Sequence, residues 1–145
     1  MRVFLAGVIQ GGRTDDGIHS QDYRRQLTAL ITAAVPGATI IDPHTENLGR
    51  LDWQREQQSE MFLRYARAAA HCDVLIAWLP EPSMGTAIEM YEAYQAGVPV
   101  IAITALTGTW AIFSLATVCV PDLAGFADLV ASGEFTRLAG TRVDS

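Results

Sequence analysis

Residues 73–97 read DVLIAWLPEPSMGTAIEMYEAYQAG, and the fold can be argued outward from them. Residues 74–79 are a short apolar run with β-branched members, the pattern of a buried strand, and Pro80 and Pro82 end it because a fixed φ and a missing N–H cannot continue a ladder. A turn must follow. Ser83, Gly85 and Thr86 supply small side chains, and Ala87, Ile88, Met90, Tyr91, Ala93 and Tyr94 then keep helical spacing as far as Gly97, a helix stop. The unit is strand, small-residue loop, helix. In an open parallel sheet this loop lies in the crevice beyond the strand's carboxyl end, with free helix N–H groups aimed at anything anionic. Glu89 is expected in the first helical turn, where a carboxylate either offsets the helix dipole or faces a ligand. Ser83 and Thr86 serve equally as helix caps or as ligand contacts.

Upstream, residues 2–6 (RVFLA) form a compact strand ending at Gly7, and residues 8–13 (VIQGGR) form a glycine-rich loop carrying one arginine. Gly7, Gly11 and Gly12 do not make a GxGxxG fingerprint, so the loop is either a plain turn or a cradle that lets N–H groups approach an oxyanion. Ser20 or Asp22 can cap a helix with Tyr23, Leu27, Leu30 and Ile31 on one face, stopped by Pro36-Gly37. Residues 38–42 (ATIID) are a second strand, and PHTEN leaves its end, with His44 either bonding a sugar hydroxyl or merely occupying a loop. Residues 48–58 read as an irregular lid or short helix. From Ser59, the spacing of Met61, Phe62, Tyr65, Ala66 and Ala69 predicts an amphipathic helix to His71.

Beyond Gly97, residues 98–103 (VPVIAI) are a strand that tolerates Pro99 near its start, and Thr107, Gly108, Thr109 and Trp110 follow in a loop of binding character. A short helix over 111–116, a last strand over 117–120 and a closing helix over 123–131 complete a domain of residues 1–133. Residues 134–145 are expected to be a polar tail.

Composition narrows the function. A chain of 145 residues, half of them apolar, buries a core without disulfides or metal. A net charge of −6, with ten basic residues that are mostly isolated arginines, argues against a nucleic-acid backbone binder and for a small-molecule partner. Cys72 and Cys119 have no ligand spacing and read as two buried thiols in a reducing compartment. No apolar run reaches the ~18 residues of a membrane span, so a cytoplasmic protein is expected, with no membrane, metal or other cofactor involved. Asp73 is either a strand-entry residue bonding nearby backbone or part of a site.

Strands and helices alternate, which predicts a single α/β domain of the flavodoxin or Rossmann-like kind: about five parallel strands with helices on both faces. Right-handed crossovers then bring the loops after residues 7, 42 and 82 to one edge.

Those loops carry a resemblance. DVLIAWLPEPSMGTAIEM followed by YQAGVPV resembles the central motif of the nucleoside 2-deoxyribosyltransferase superfamily. FLAGVIQGGR is similar to the phosphate-cradling loop of its 2'-deoxynucleoside 5'-phosphate N-hydrolase branch, Ser83 stands six residues before Glu89 as in that branch, and His44 in PHTENLG also resembles a hydrolase residue. The resemblance covers roughly residues 2–103.

The resemblance implies cleavage of an N-glycosidic bond in a nucleoside 5'-monophosphate, with Glu89 as nucleophile and water releasing the glycosyl-enzyme. It implies substrate contacts from Gly7, Ile9, Gly11, Gly12, Arg13, His44, Ser83, Met84 and Gly85, and a homodimer or larger assembly in which Thr107, Thr109 or Ser114 reaches a neighbour's site. Trp110 is the expected stacking residue for the base, whereas Tyr91 and Tyr94 either stack or pack against another subunit. The family usually carries an aspartate where this chain has Tyr65. Tyr65 is then an orienting phenol in the catalytic set, with Asp73, Asp42 or Glu92 as substitute carboxylates. Deoxyribosyl transfer and an inactive nucleotide-binding module are the alternatives.

Overall fold

The computed structural model describes residues 1–9, 20–46 and 54–141. Five parallel strands form one sheet: β1 (Arg2–Gly7), β2 (Thr39–Ile41), β3 (Val74–Trp78), β4 (Val100–Ile103) and β5 (Val118–Val120), in the order β2-β1-β3-β4-β5. The helices are α1 (Asp22–Ala34), α2 (Pro43–Glu46), α3 (Arg55–Ala69), α4 (Met84–Gln95), α5 (Trp110–Leu115), α6 (Leu123–Ala131) and α7 (Glu134–Ala139). The α/β sandwich expected from alternation is therefore the fold.

Side-chain alternation divides the interior in two. Val3, Leu5, Val74, Ile76, Ile101 and Ile103 face α1, α6 and α7, where Leu27, Ile31, Phe126 and Phe135 close over them. Phe4, Ala6, Leu75, Ala77, Val100 and Ala102 face the other way, under Tyr65, Ala69, Met90, Ala93 and Ile112 of α3, α4 and α5. Both sheet faces are covered, which is why β1, β3 and β4 read as continuous apolar runs rather than alternating ones. Each fully buried large side chain of this kind contributes about 1.5–3 kcal/mol.

The chain runs from β1 out to β2 and then back across to β3, so crossovers diverge between β1 and β3. Register pairs Gly7 with Trp78 at the carboxyl ends of those two strands. A crevice opens there, and ligands of open α/β sheets bind in such a crevice.

Several boundaries differ from the sequence expectation. Ser83 caps α4 by accepting from the Thr86 N–H, so the helix starts at Met84 and Glu89 lies in its second turn, not its first. Its far end closes as expected: Gly97 takes φ 69°, its N–H reaches the Tyr94 carbonyl, and the Val98 N–H reaches that of Ala93. α3 begins upstream of Ser59, held by a reciprocal cap between Gln54 and Gln57. The expected tail over 134–145 instead supplies α7, whose Phe135, Leu138 and Ala139 are buried; three apolar residues at helical spacing were enough to draw polar neighbours into the domain. Of the two thiols, Cys72 is buried but Cys119 is exposed.

Candidate functional site

The crevice is built on a close approach. A Cβ on Gly7 would overlap the Tyr23 hydroxyl and lie 3.2 Å from Trp78 Cβ, so only glycine lets the α1 phenol lie across the end of β1. The Tyr23 ring stacks on Trp78 with centroids 4.9 Å apart and planes 16° apart, and the Arg24 guanidinium carbon sits 5.0 Å from the Tyr23 ring centroid. Beside them a cavity of about 300 Å³ is lined by Val8, Ser20, Tyr23, Gln26, Trp78 and Pro80, among others.

Arg24 is the charge at the centre. Its Nη1 donates to Asp42 Oδ1 at 2.7 Å and to the Leu5 carbonyl at 3.0 Å, its Nη2 to the Gly7 carbonyl at 3.4 Å, and its Nε to Gln21 Oε1 at 2.6 Å. Asp42 also accepts from the His44 N–H at 3.1 Å and the Thr45 hydroxyl at 2.6 Å, which starts the single turn of α2. The end of β2 is thereby fastened to α1 and β1. His44 is pushed below its ordinary pKa, first by burial and then by Arg24, with Asp42 opposing, so its ring is neutral at pH 7.

Glu89 enters from α4. Burial raises its pKa to about 8, with Arg24 pulling the other way. Its placement in the second turn removes most of the helix-dipole explanation for a carboxylate here, because that field fades within the first turn. Among the described residues it makes no side-chain hydrogen bond. The start of α4 presents Ser83, which accepts from both the N–H and the hydroxyl of Thr86, while the Met84 and Gly85 N–H groups have no partner within the helix.

Tyr65 is buried on α3, and its hydroxyl donates to Glu46 Oε2 at 2.7 Å. The phenol thus carries a carboxylate from the β2 end of the crevice, one that the sequence did not single out.

The other expected residues scatter. Gly7 ends β1 at the crevice and the partly buried Ile9 follows two residues on, while Gly11, Gly12 and Arg13 lie outside the described residues. Asp73 sits at the opposite edge of the sheet, before β3, away from the other candidate residues, where it accepts from the Arg2 N–H at 2.6 Å, a bond of the strand-entry kind. Trp110 and Met84 are 80% and 86% exposed, so neither forms a pocket wall within a single chain. Glu92 lies further along α4.

Arg24 and Tyr23 are the residues that sequence reasoning undervalued. Arg24 falls three residues before Leu27 and seven before Ile31, on the buried face of α1, and an arginine at an apolar position is the signal that was available.

Among the described residues, no cluster of three or more His, Cys, Asp or Glu could hold a metal, and no helix is long and apolar enough to cross a membrane.

No protein-family model matches the chain, and no curated protein matches it in sequence. Solved structures do share the fold. A 2-deoxyribosyltransferase from Bacillus psychrosaccharolyticus aligns with a TM-score of 0.64 at 15% identity, over 88% of this chain and 91% of that one. A conserved protein from Enterococcus faecalis V583 aligns with a TM-score of 0.61 at 16% identity, over 90% and 97%. At these identities the likeness is one of fold.

Proposed function

We propose that this protein hydrolyses the N-glycosidic bond of a nucleoside 5'-monophosphate, with Glu89 as nucleophile, in the manner of the nucleoside 2-deoxyribosyltransferase superfamily. The observation that carries the reading is Glu89 itself, a carboxylate without a hydrogen bond among the described residues, near enough to Arg24 for that charge to act on it. Its ionised form attacks C1' of the sugar as the bond to the base breaks, and water then cleaves the glycosyl-enzyme, restoring the carboxylate. The free N–H groups of Met84 and Gly85, the Ser83 hydroxyl and the loop bearing Gly11, Gly12 and Arg13 hold the 5'-phosphate. Neutral His44 hydrogen-bonds the substrate from the end of β2. Tyr65 acts through Glu46, which supplies the second carboxylate that such chemistry uses to manage the leaving base's proton.

The active unit is a homodimer. Tyr91 and Tyr94 of α4 and Trp110 and Phe113 of α5 are each more than half exposed, and α4 packs beside α5, so these helices present aromatic surface for a second copy. A second subunit would bring Trp110, Thr107, Thr109 or Ser114 to the neighbour's crevice, the placement a single chain does not provide. A free nucleotide substrate and two cysteines that form no disulfide fit a cytoplasmic enzyme.

Deoxyribosyl transfer between bases is the second reading, favoured by the fold shared with the Bacillus enzyme. One incubation separates them: a panel of ribo- and deoxyribonucleosides and their 5'-monophosphates, with wild type and Glu89→Ala, followed by chromatography of free base. Base release from monophosphates alone, lost in Glu89→Ala, supports hydrolysis. A new nucleoside formed only with an acceptor base supports transfer. Raised melting temperature with monophosphates but no release identifies a nucleotide-binding module instead.

A further inference from the structure

We infer that Thr86 is a positioning residue: it fixes the Ser83 hydroxyl as a donor, and so sets the start of α4 to take an anionic oxygen at the 5' end of the substrate rather than a hydroxyl. Ser83 Oγ accepts twice from one residue, from the Thr86 N–H at 3.4 Å and from the Thr86 hydroxyl at 3.1 Å. Burial decides the direction of the second bond. Thr86 is 2% exposed, and among the described residues its hydroxyl proton meets no acceptor but Ser83 Oγ, whereas Ser83 is only partly buried and its own proton can leave the turn. A serine oxygen has two lone pairs, and both are thereby used. What remains to Ser83 is one hydrogen, directed out of the cap beside the free N–H groups of Met84 and Gly85.

The hydroxyl bond is surplus to capping, because the Thr86 N–H alone completes the N-cap. A threonine hydroxyl inside a helix commonly returns to a carbonyl three or four residues back, and a glutamate or glutamine at this position would close a capping box. The Thr86 hydroxyl does neither, so its effect falls on Ser83. Two accepted bonds polarise the Ser83 O–H and remove the rotations in which the oxygen would face outward. An anionic oxygen then receives a charge-assisted bond from a donor already aimed, at the positive end of the helix dipole. A sugar 5'-hydroxyl accepts the same bond more weakly and brings a proton for which Ser83 has no lone pair left, a mismatch that counts against it. This role rests on the nucleotide-hydrolase reading for its ligand.

The test compares binding of the common 2'-deoxynucleoside 5'-monophosphates and of their nucleosides by titration calorimetry at pH 7, in Glu89→Gln protein so that nothing is turned over. Glutamine keeps the neutral form that a carboxyl with a pKa of about 8 holds at that pH. On this background Thr86→Val keeps a β-branched side chain and frees a Ser83 lone pair that water can reach, so no buried group is stranded and the helix still forms. The expected result is a fall of about fivefold in the affinity of monophosphate relative to nucleoside, the worth of one oriented hydrogen bond, with Thr86→Ser restoring it. Where Ser83→Ala has already removed the hydroxyl to be oriented, adding Thr86→Val leaves the ratio unchanged. Equal weakening of both ligands, an unchanged or raised ratio in Thr86→Val, or a further fall on top of Ser83→Ala overturns the role and leaves Thr86 a structural residue. Base release is read separately with Glu89 intact. A shifted ratio without base release from any monophosphate leaves the role of Thr86 standing and defeats the hydrolase reading; base release with an unmoved ratio does the reverse. Monophosphates that bind no tighter than their nucleosides, with Ser83 and Thr86 both in place, defeat the two together.

Discussion

Arg24 and Asp42 form an ion pair at 2.7 Å with their side chains 4% and 10% exposed, and it links the start of α1 to the end of β2 across the carboxyl edge of β1. Two charges taken this far out of water stay there because the rest of their hydrogen-bonding capacity is used on the Leu5 and Gly7 carbonyls, Gln21, Thr45 and the His44 N–H. The pair fixes where the loops after β1 and β2 begin.

Removing one partner therefore strands the other. Asp42→Ala should lower unfolding stability by about 3–5 kcal/mol, measured by urea denaturation, and Arg24→Met by a similar amount. The double variant should cost less than the sum, since each single change already leaves the partner unpaired. Additivity would show that the two act separately.

Tyr65 and Glu46 offer a weaker connection, from buried phenol to exposed carboxylate at 2.7 Å. A hydrogen bond to a charged acceptor is worth roughly 1.5–3 kcal/mol where it is shielded and less at a surface. Tyr65→Phe should lower kcat about tenfold, with KM little changed, if the bond sets the angle of Glu46 during departure of the base. Glu46→Gln should lower it at least as far. Full activity in Glu46→Gln would remove Glu46 from the mechanism.

The helix cap offers a test of the proposed phosphate contacts. Ser83→Ala removes the acceptor for the Thr86 N–H and should cost about 1 kcal/mol of stability by thermal unfolding. Its larger expected effect is on substrate choice: the ratio of kcat/KM for a 5'-monophosphate over its nucleoside should fall about tenfold, as the loss of one bond to an anion implies. Ser83→Thr should restore most of both.

The order of strands and helices was legible because β1, β3 and β4 are buried on both faces and their apolar runs are bounded by Gly or Pro. Ser83 was legible as a cap of α4, but the first turn was placed too late because Gly85 and Thr86 look like loop residues. α7 was missed because Phe135, Leu138 and Ala139 are too few to stand out among polar neighbours. Of the candidate site, Glu89 and Ser83 were singled out from a contiguous motif. The Arg24–Asp42 pair and the Tyr23–Trp78 stack were not, since each joins residues distant in sequence, the stack through a close approach that only glycine at position 7 permits.

Exposed aromatic residues on α4 and α5 make the assembly testable without a substrate. Wild type should sediment as a dimer at micromolar concentration, and Tyr91→Asp combined with Phe113→Asp should sediment as a monomer with its far-ultraviolet circular dichroism unchanged, because both side chains are more than half exposed. A monomeric wild type would return Trp110 to an isolated surface residue.

On the proposed mechanism Glu89 links stability and activity through one proton. Its pKa of about 8 in the folded chain lies above its ordinary value of 4.5, so between those pH values the folded state holds a proton that the unfolded state has released. Stability from this group is complete below pH 4.5 and is lost as pH rises, by up to about 1.4 kcal/mol per pH unit, until it levels off above pH 8. Glu89→Gln carries no such charge. Its unfolding free energy should match wild type most closely near pH 4 and exceed it increasingly up to pH 8. On the proposed mechanism activity runs the opposite way, because the proposed nucleophile is the ionised form: kcat/KM of wild type should climb with unit slope and flatten above about pH 8. A protein that is most stable where it is least active is the expected signature of a carboxylate whose desolvation serves its reactivity. Parallel pH profiles for wild type and Glu89→Gln in unfolding would show instead that Glu89 is ionised from pH 5 upward, and that water reaches it in the folded state.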